Sequence, residues 1–316
     1  MRKTEKDRKI SRVLVTRHDK IGDFTLALPL CQCIKKAAPE IELSVLVSKV
    51  NFEFAKSLEF IDNVILFDTK FNKTLHEIRR QNFDASISCF IDTRLGVLLL
   101  LAGIPRRIAP STKFAQLFFN QTIRQRRSQA TKTEWQYNLD LGNKLFPFFD
   151  LSFTPPLLSF DNLNRQNRVV FHPGFGGSSD GNLHLEDYLR LGKRASQIPG
   201  ITVTYTFGPD DKKSYEWFQT RLDFPAFLVK SKMPLIEFCK FLAESKLLVS
   251  TSTGPMHLAG AVNTSTLSFF GDSVFASSRR WSTINNSDKQ RNFMIGKNYS
   301  SEKFRQVEAA MLELIS

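Results

Sequence analysis

The chain has few of the features that mark secreted, membrane-spanning or nucleic-acid-binding proteins. Four cysteines in 316 residues are too few for a disulfide scaffold and suit a reducing compartment. Cys31 and Cys33 lie two apart on a helical stretch, so they point to different faces, make a poor metal pair and read as packing residues. The longest apolar run, Val97 to Ala102, is far short of a bilayer span. The charged start M-R-K-T-E-K-D-R-K-I-S-R leads into no signal-peptide core, which predicts a cytoplasmic protein. Low-complexity segments and short-period repeats are missing. No helix-turn-helix, zinc-finger or RNP-type motif accompanies the basic charge, which argues against nucleic acid as partner. The fingerprint G-x-G-x-x-G follows the first strand of neither half, which argues against a dinucleotide-dependent oxidoreductase. No group of metal ligands stands at metal-binding spacing. Metal-independent chemistry without a bound cofactor is therefore expected.

What is present describes a soluble globular protein, with 42% hydrophobic and 24% charged residues in a chain long enough for two domains, each with its own core. Phenylalanine is abundant, at 29. The net charge of +13 is uneven: residues 1–160 hold 25 Lys and Arg against 16 Asp and Glu, a balance of +9, and the remainder +4. The cations cluster at Arg106-Arg107, at Arg124, Arg126 and Arg127, and at Lys132. Such clusters serve as a solvated face or attract an acidic ligand or surface.

Short apolar strands alternate with amphipathic helices along the whole chain, which predicts parallel sheets covered on both faces. In the first half the strands fall near 13–15, 41–47, 64–67, 85–90 and 107–109, with helices near 23–37, 51–58, 71–81, 94–102 and 133–148. Residues 111–132 are aromatic, basic and poorly patterned. The proline-containing stretch 150–167 reads as an interdomain linker. The alternation then restarts, with strands near 168–171, 201–207, 227–229, 247–250 and 266–270 and a final helix over 301–315. The domains expected are 1–155 and 156–316.

The most informative stretch is V-L-V-T-R-H-D-K-I-G-D-F-T-L-A-L-P at 13–29. A buried strand delivers a charged loop to a helix that opens at Asp23 and runs to about Ala37. Open α/β sheets place ligand chemistry there. Asp23 has two readings, a helix cap or a general base in a cleft. Arg17, Lys20 and Arg94 stand at carboxyl ends of strands, where they would meet a ligand. In the second half, H-P-G-F-G-G-S-S-D-G-N follows a strand, and Gly174, Gly176 and Gly177 permit close backbone approach to a phosphate or a sugar. G-P-D-D at 208–211 offers Asp210 or Asp211 to ribose hydroxyls, or to a helix start. S-T-S-T-G-P-M-H at 250–257 is sharper, because Pro255 suits the first turn of a helix whose free N–H groups would face a pyrophosphate. His257 there either touches those phosphates or packs inward.

The stretches at 13–29, 172–174 and 250–257, in this order and spacing over nearly the whole chain, resemble the ADP-heptose:lipopolysaccharide heptosyltransferases of glycosyltransferase family 9. The resemblance implies the GT-B architecture, two Rossmann-like domains with the acceptor on the N-terminal and the nucleotide sugar on the C-terminal one. It implies inverting transfer of heptose from ADP-heptose to the lipopolysaccharide inner core, an acidic glycolipid at the inner face of the inner membrane, with Asp23 as base. Donor contacts would come from Gly174, Gly176, Gly177, Asp210, Ser252, Thr253, Gly254, Met256 and His257. Acceptor contacts would come from Arg17, Lys20, Arg94, Arg106, Arg107, Arg126 and Arg127. Two positions depart from the family: an aspartate is usual where Ser252 stands, and a phosphate-facing lysine is usual near 181, where this chain reads Gly181-Asn182-Leu183. Lys20, Arg17 and Arg279-Arg280 are candidates for the missing cation. A different sugar donor, or a glycolipid-binding protein without activity, are the alternatives these departures raise.

Overall fold

A computed structural model describes residues 10–68, 70–112, 114–174, 181–296 and 298–316. The chain divides into two compact units: residues 1–126 with 135–153, and residues 127–134 with 154–316. One change of unit falls at 153/154. The membership of 127–134 in the second unit has no counterpart in the sequence reading.

In the first unit, strands β1 (Arg12–Arg17), β2 (Glu42–Val47), β3 (Asn63–Leu66), β4 (Ala85–Ser88), β5 (Arg106–Pro110) and β6 (Gln121–Ile123) form one sheet in the order β3-β2-β1-β4-β5-β6. Every neighbouring pair is parallel. Helices α1 (Ile21–Thr25), α2 (Leu28–Ala37), α3 (Lys49–Lys56), α4 (Phe71–Gln81), α5 (Thr93–Leu101) and α6 (Glu134–Leu145) accompany it. Val13, Leu14 and Val15 of β1 are buried, as a central parallel strand covered on both faces requires. Gly103 takes a left-handed conformation (φ 77°) just past α5, the C-terminal stop its position predicts.

The continuous helix expected over 23–37 is broken. α1 ends at Thr25 and α2 begins at Leu28. Pro29 lacks an N–H and is tolerated only in a first turn, where α2 has it, so a helix cannot run unbroken through it.

The second unit repeats the plan with β7 (Arg168–His172), β8 (Thr202–Phe207), β9 (Phe227–Lys230), β10 (Leu247–Thr251), β11 (Ser265–Phe270) and β12 (Gln290–Met294), in the order β12-β11-β10-β7-β8-β9. All pairings are again parallel. Helices α7 (Leu185–Ser196), α8 (Lys212–Arg221), α9 (Leu235–Ala243), α10 (Gly254–Ala261), α11 (Ser278–Trp281) and α12 (Ser301–Ile315) accompany it. Its core is strongly aromatic: Phe171, Tyr188, Tyr205, Phe207, Phe218 and Phe269 are buried together.

The strand order fixes where chemistry belongs. In each sheet, successive strands run outward one way and then the other, from β1 and β4 in the first unit and from β7 and β10 in the second. Such a reversal opens a crevice at the carboxyl ends of the two central strands. In the first unit those ends carry Arg17 and Cys89; in the second, His172 and Thr251.

Candidate active site

At the first reversal β1 ends in Arg17, whose side chain is 3% exposed. A guanidinium that has lost its water must be repaid by hydrogen bonds. Here Nε donates to Asp19 Oδ1 at 2.8 Å, Nη2 to Asp23 Oδ1 at 2.5 Å and Nη1 to the Cys89 carbonyl at 3.3 Å. Both carboxylates retain access to solvent, at 23% for Asp19 and 20% for Asp23. Asp23 occupies the first turn of α1, but no side chain caps that helix. The carboxylate turns to Arg17 instead, so the capping role open to Asp23 is not the one it adopts. Burial pushes the Asp19 carboxyl up; Arg17 opposes the rise and the charge on Asp23 adds to it. The loop is also tied by Ser48, at the junction of β2 and α3, and by Asn51 of α3, whose Oγ and Nδ2 donate to the Asp19 carbonyl at 2.8 and 3.2 Å.

Beside this cluster His18 Nε2 meets Asp92 Oδ2 at 2.8 Å, and the imidazole lies against Phe67 and Phe90. Asp92 accepts from the Leu95 N–H at 2.8 Å and so caps α5. The hydrogen bond from His18 holds the Asp92 carboxyl below its ordinary value, against the effect of burial. The sequence reading does not single out this pair. Polar residues at the ends of β1 and β4 are the available signal.

The cations expected to meet an acceptor separate into two groups. Lys20 and Arg126 are exposed and Arg106 is half-buried. Arg17 is committed to Asp19 and Asp23 as described. Arg94 donates to the Asp68 carbonyl and stacks 4.5 Å from the Phe67 ring. Arg107 clasps the Phe118 and Ile104 carbonyls at 2.9 and 2.5 Å, and burial lowers its pKa. Arg127 belongs to the second unit, where its Nη1 lies 2.5 Å from Glu134 Oε1. Glu134 is fully buried, and its other oxygen takes the Arg280 Nε at 3.0 Å. Arg280 is thereby engaged, which leaves Lys20 and Arg279 as the exposed members of the set considered for the missing cation.

At the second reversal β10 delivers Ser252 to Pro255, all half-exposed, to the start of α10. Thr253 is the N-cap residue, and no side chain closes the helix start; first-turn N–H groups there are available to an anion. Met256 and His257 behave otherwise. Met256 is 0% and His257 4% exposed, so both side chains pack inward. His257 takes the inward of its two readings.

Gly174 also has another use. A Cβ there would stand 2.2 Å from Asp211 Oδ2, so the missing side chain makes room for this carboxylate. Asp211 in turn accepts from the Gly208 N–H at 2.7 Å and lies 3.6 Å from His172 Nε2. His172 Nδ1 meets Thr206 Oγ1 at 3.1 Å. Burial lowers the His172 pKa, with Asp211 opposing. Asp210 is exposed. Gly176 and Gly177 lie outside the described residues. The departure at 181 has a packing cause: a Cβ at Gly181 would come 2.1 Å from the Phe270 backbone and 2.4 Å from the Gly271 nitrogen, so no lysine fits there.

Two Rossmann-like units, each a six-stranded parallel sheet whose strand order reverses at its centre, define a GT-B architecture. The family model for glycosyltransferase family 9 (heptosyltransferase) matches residues 72–311, a span that begins after the Arg17–Asp23 loop. A Haemophilus influenzae protein named "Putative glycosyltransferase" is 34% identical over 305 residues, covering 89% of this chain and 88% of its own. The chain belongs to glycosyltransferase family 9. Among solved structures, E. coli ADP-heptose lps heptosyltransferase II aligns with a TM-score of 0.80 at 16% identity, over 96% of this chain and 98% of its own. E. coli heptosyltransferase WaaC with ADP aligns at 0.75 and 18%, over 96% and 99%. At these identities both bear on the fold.

Proposed function

We propose that this glycosyltransferase moves a heptose, with inversion, from ADP-heptose to the lipopolysaccharide inner core, with Asp23 as general base. The observation that carries this reading is the Asp23 carboxylate, open to solvent at a strand reversal and steadied by a buried arginine. In the reaction the acceptor oxygen bonds to the anomeric carbon while Asp23 takes its proton. The bond from that carbon to the diphosphate breaks, and ADP leaves with the electron pair. The N–H groups at the start of α10 answer the charge growing on the leaving diphosphate. In this scheme the first unit holds the acceptor, with Lys20, Arg106 and Arg126 as its accessible cations. The second holds the donor, and no further cofactor is invoked. The fit of Gly181 and the presence of Ser252 favour, as a second reading, a nucleotide sugar other than ADP-heptose. Calorimetry with ADP tests the donor assignment. Gly254→Val, which crowds the helix start, is expected to weaken ADP at least about tenfold in Kd, about 1.4 kcal/mol. Unchanged affinity would move the nucleotide elsewhere, and a wild-type protein that binds another nucleotide but not ADP would replace the donor.

The same scheme puts the protein at the inner face of the inner membrane, and one patch of the first unit suits that location. Among the described residues no helix is long and apolar enough to cross a membrane. Phe114 and Leu117, on the short 3-10 turn Phe114–Phe118, are 71% and 69% exposed, and Leu100 and Leu101 at the end of α5 are 45% and 47% exposed. The turn is seated on α5, since a Cβ at Gly96 would meet Phe118 at 2.7 Å. Arg79 donates to the Leu101 carbonyl and Arg107 to that of Phe118. Apolar side chains bordered by guanidinium groups match an anionic bilayer surface. Phe114→Asp with Leu117→Asp is expected to lower partition onto vesicles of 30% phosphatidylglycerol in phosphatidylcholine by about tenfold or more, given about 1.5–3 kcal/mol for burying each side chain. Equal sedimentation of variant and wild type would remove this patch from the scheme.

A further inference from the structure

We propose that Arg17 is a positioning residue that couples Asp19 to Asp23, so that Asp19 governs how strongly Asp23 binds a proton. This rests on the reading of Asp23 as the base and adds to it the group that tunes it.

Three observations carry it. All three nitrogens of the Arg17 guanidinium are engaged, by Asp19, Asp23 and the Cys89 carbonyl, which fixes a planar cation on three sides. The side chain is 3% exposed, so it offers little surface to an acceptor and its charge is weakly screened. Finally, one cation serves two carboxylates. With both ionised, the cluster carries a net charge of −1; with one proton it is neutral. Two carboxylates sharing a site repel each other's charge, so their protons leave in two steps that belong to the pair. The rise at Asp19 from burial, reinforced by Asp23, has this sign.

Asp19 and Asp23 thus share one cation, which fixes the Asp23 carboxylate in place. The other charged groups of the loop and of α3 are His18, held by Asp92, Lys20, Lys49 at the start of α3 and the Glu53–Lys56 pair farther along it. The adjoining α2 contributes Lys35 and Lys36 in its last turn, with Lys35 paired to Asp62. Ser48 and Asn51, which hold the Asp19 backbone, are uncharged.

The test is a titration of Asp23 in the full-length protein carrying [13Cγ]aspartate, with the signal assigned by its loss in Asp23→Asn. Wild type should show two steps, the upper one coinciding with Asp19. Asp19→Asn should leave a single step at the lower position. Arg17→Gln should move the titration of Asp23 upward, and Arg17→Lys, which keeps the charge, should return it toward wild type if the glutamine variant does not fold. In transfer assays, Arg17→Gln should lower kcat by about 10–100-fold through loss of positioning and leave acceptor KM within about twofold. A role in acceptor binding would instead raise KM. Superimposable titrations of wild type and Asp19→Asn, or no upward movement on removing the Arg17 charge, would overturn the coupling. Because the titration needs no turnover, a failure of the coupling is distinguishable from a failure of Asp23 as base.

Discussion

Asp23→Asn is expected to lower turnover by about 10²–10⁴-fold, the usual contribution of a general base, with the fold intact. Asparagine has nearly the same shape, and its side-chain oxygen can still accept from Arg17 Nη2, now 2.5 Å from the aspartate. Arg17 also keeps Asp19 and the Cys89 carbonyl. What is lost is the capacity to take a proton, while the donor loops of the second unit are untouched. The signature is a fall in kcat with unchanged ADP affinity and unchanged melting temperature, read from the rate of ADP release with acceptor present. A purified variant that transfers sugar at close to the wild-type rate would end the assignment of Asp23 as base.

Glu134→Gln is expected to destabilise the second unit by about 3–5 kcal/mol, the penalty for removing one partner from a buried ion network. Glu134 is fully buried, with Arg127 on one oxygen at 2.5 Å and Arg280 on the other at 3.0 Å. Arg280 lies over the Phe275 and Trp281 rings, 4.6 and 4.5 Å away, and only 10% of its side chain is exposed. Glutamine fills the same volume but removes the negative charge that the two largely buried arginines share. Urea unfolding followed by fluorescence, which reports Trp217 and Trp281 of this unit among others, measures the loss. A shift below about 1 kcal/mol would mean that the arginines find other compensation.

Much of the fold is legible because each sheet is a run of short apolar strands, and the period change from strand to helix is local. β12 is not, since Gln290, Arg291 and Asn292 carry no apolar run; a parallel neighbour, β11, draws them into the sheet. The break at Pro29 is readable from the missing N–H alone. The site divides in the same way. Asp23 and the start of α10 stand out because motif and helix start coincide. Arg17 reads as a ligand cation because a strand end looks open in sequence, whereas burial is a property of the assembled sheet. The Arg17–Asp19–Asp23 cluster spans seven residues and lies within reach of a local pattern. Glu134 and Arg280 lie 146 residues apart, and no local pattern couples them.

The Arg127–Glu134–Arg280 network alters what can be cut. With 127–134 assigned to the second unit, the polypeptide changes units at three places, 126/127, 134/135 and 153/154. A fragment starting at Thr154 has every strand of its sheet but lacks the anion that neutralises Arg280, and a fragment ending at Phe153 carries that anion away. Separate expression of the two halves would therefore split an ion network as well as a linker. The second unit made alone needs residues 127–134 supplied in some other form, as a fused segment or an added peptide.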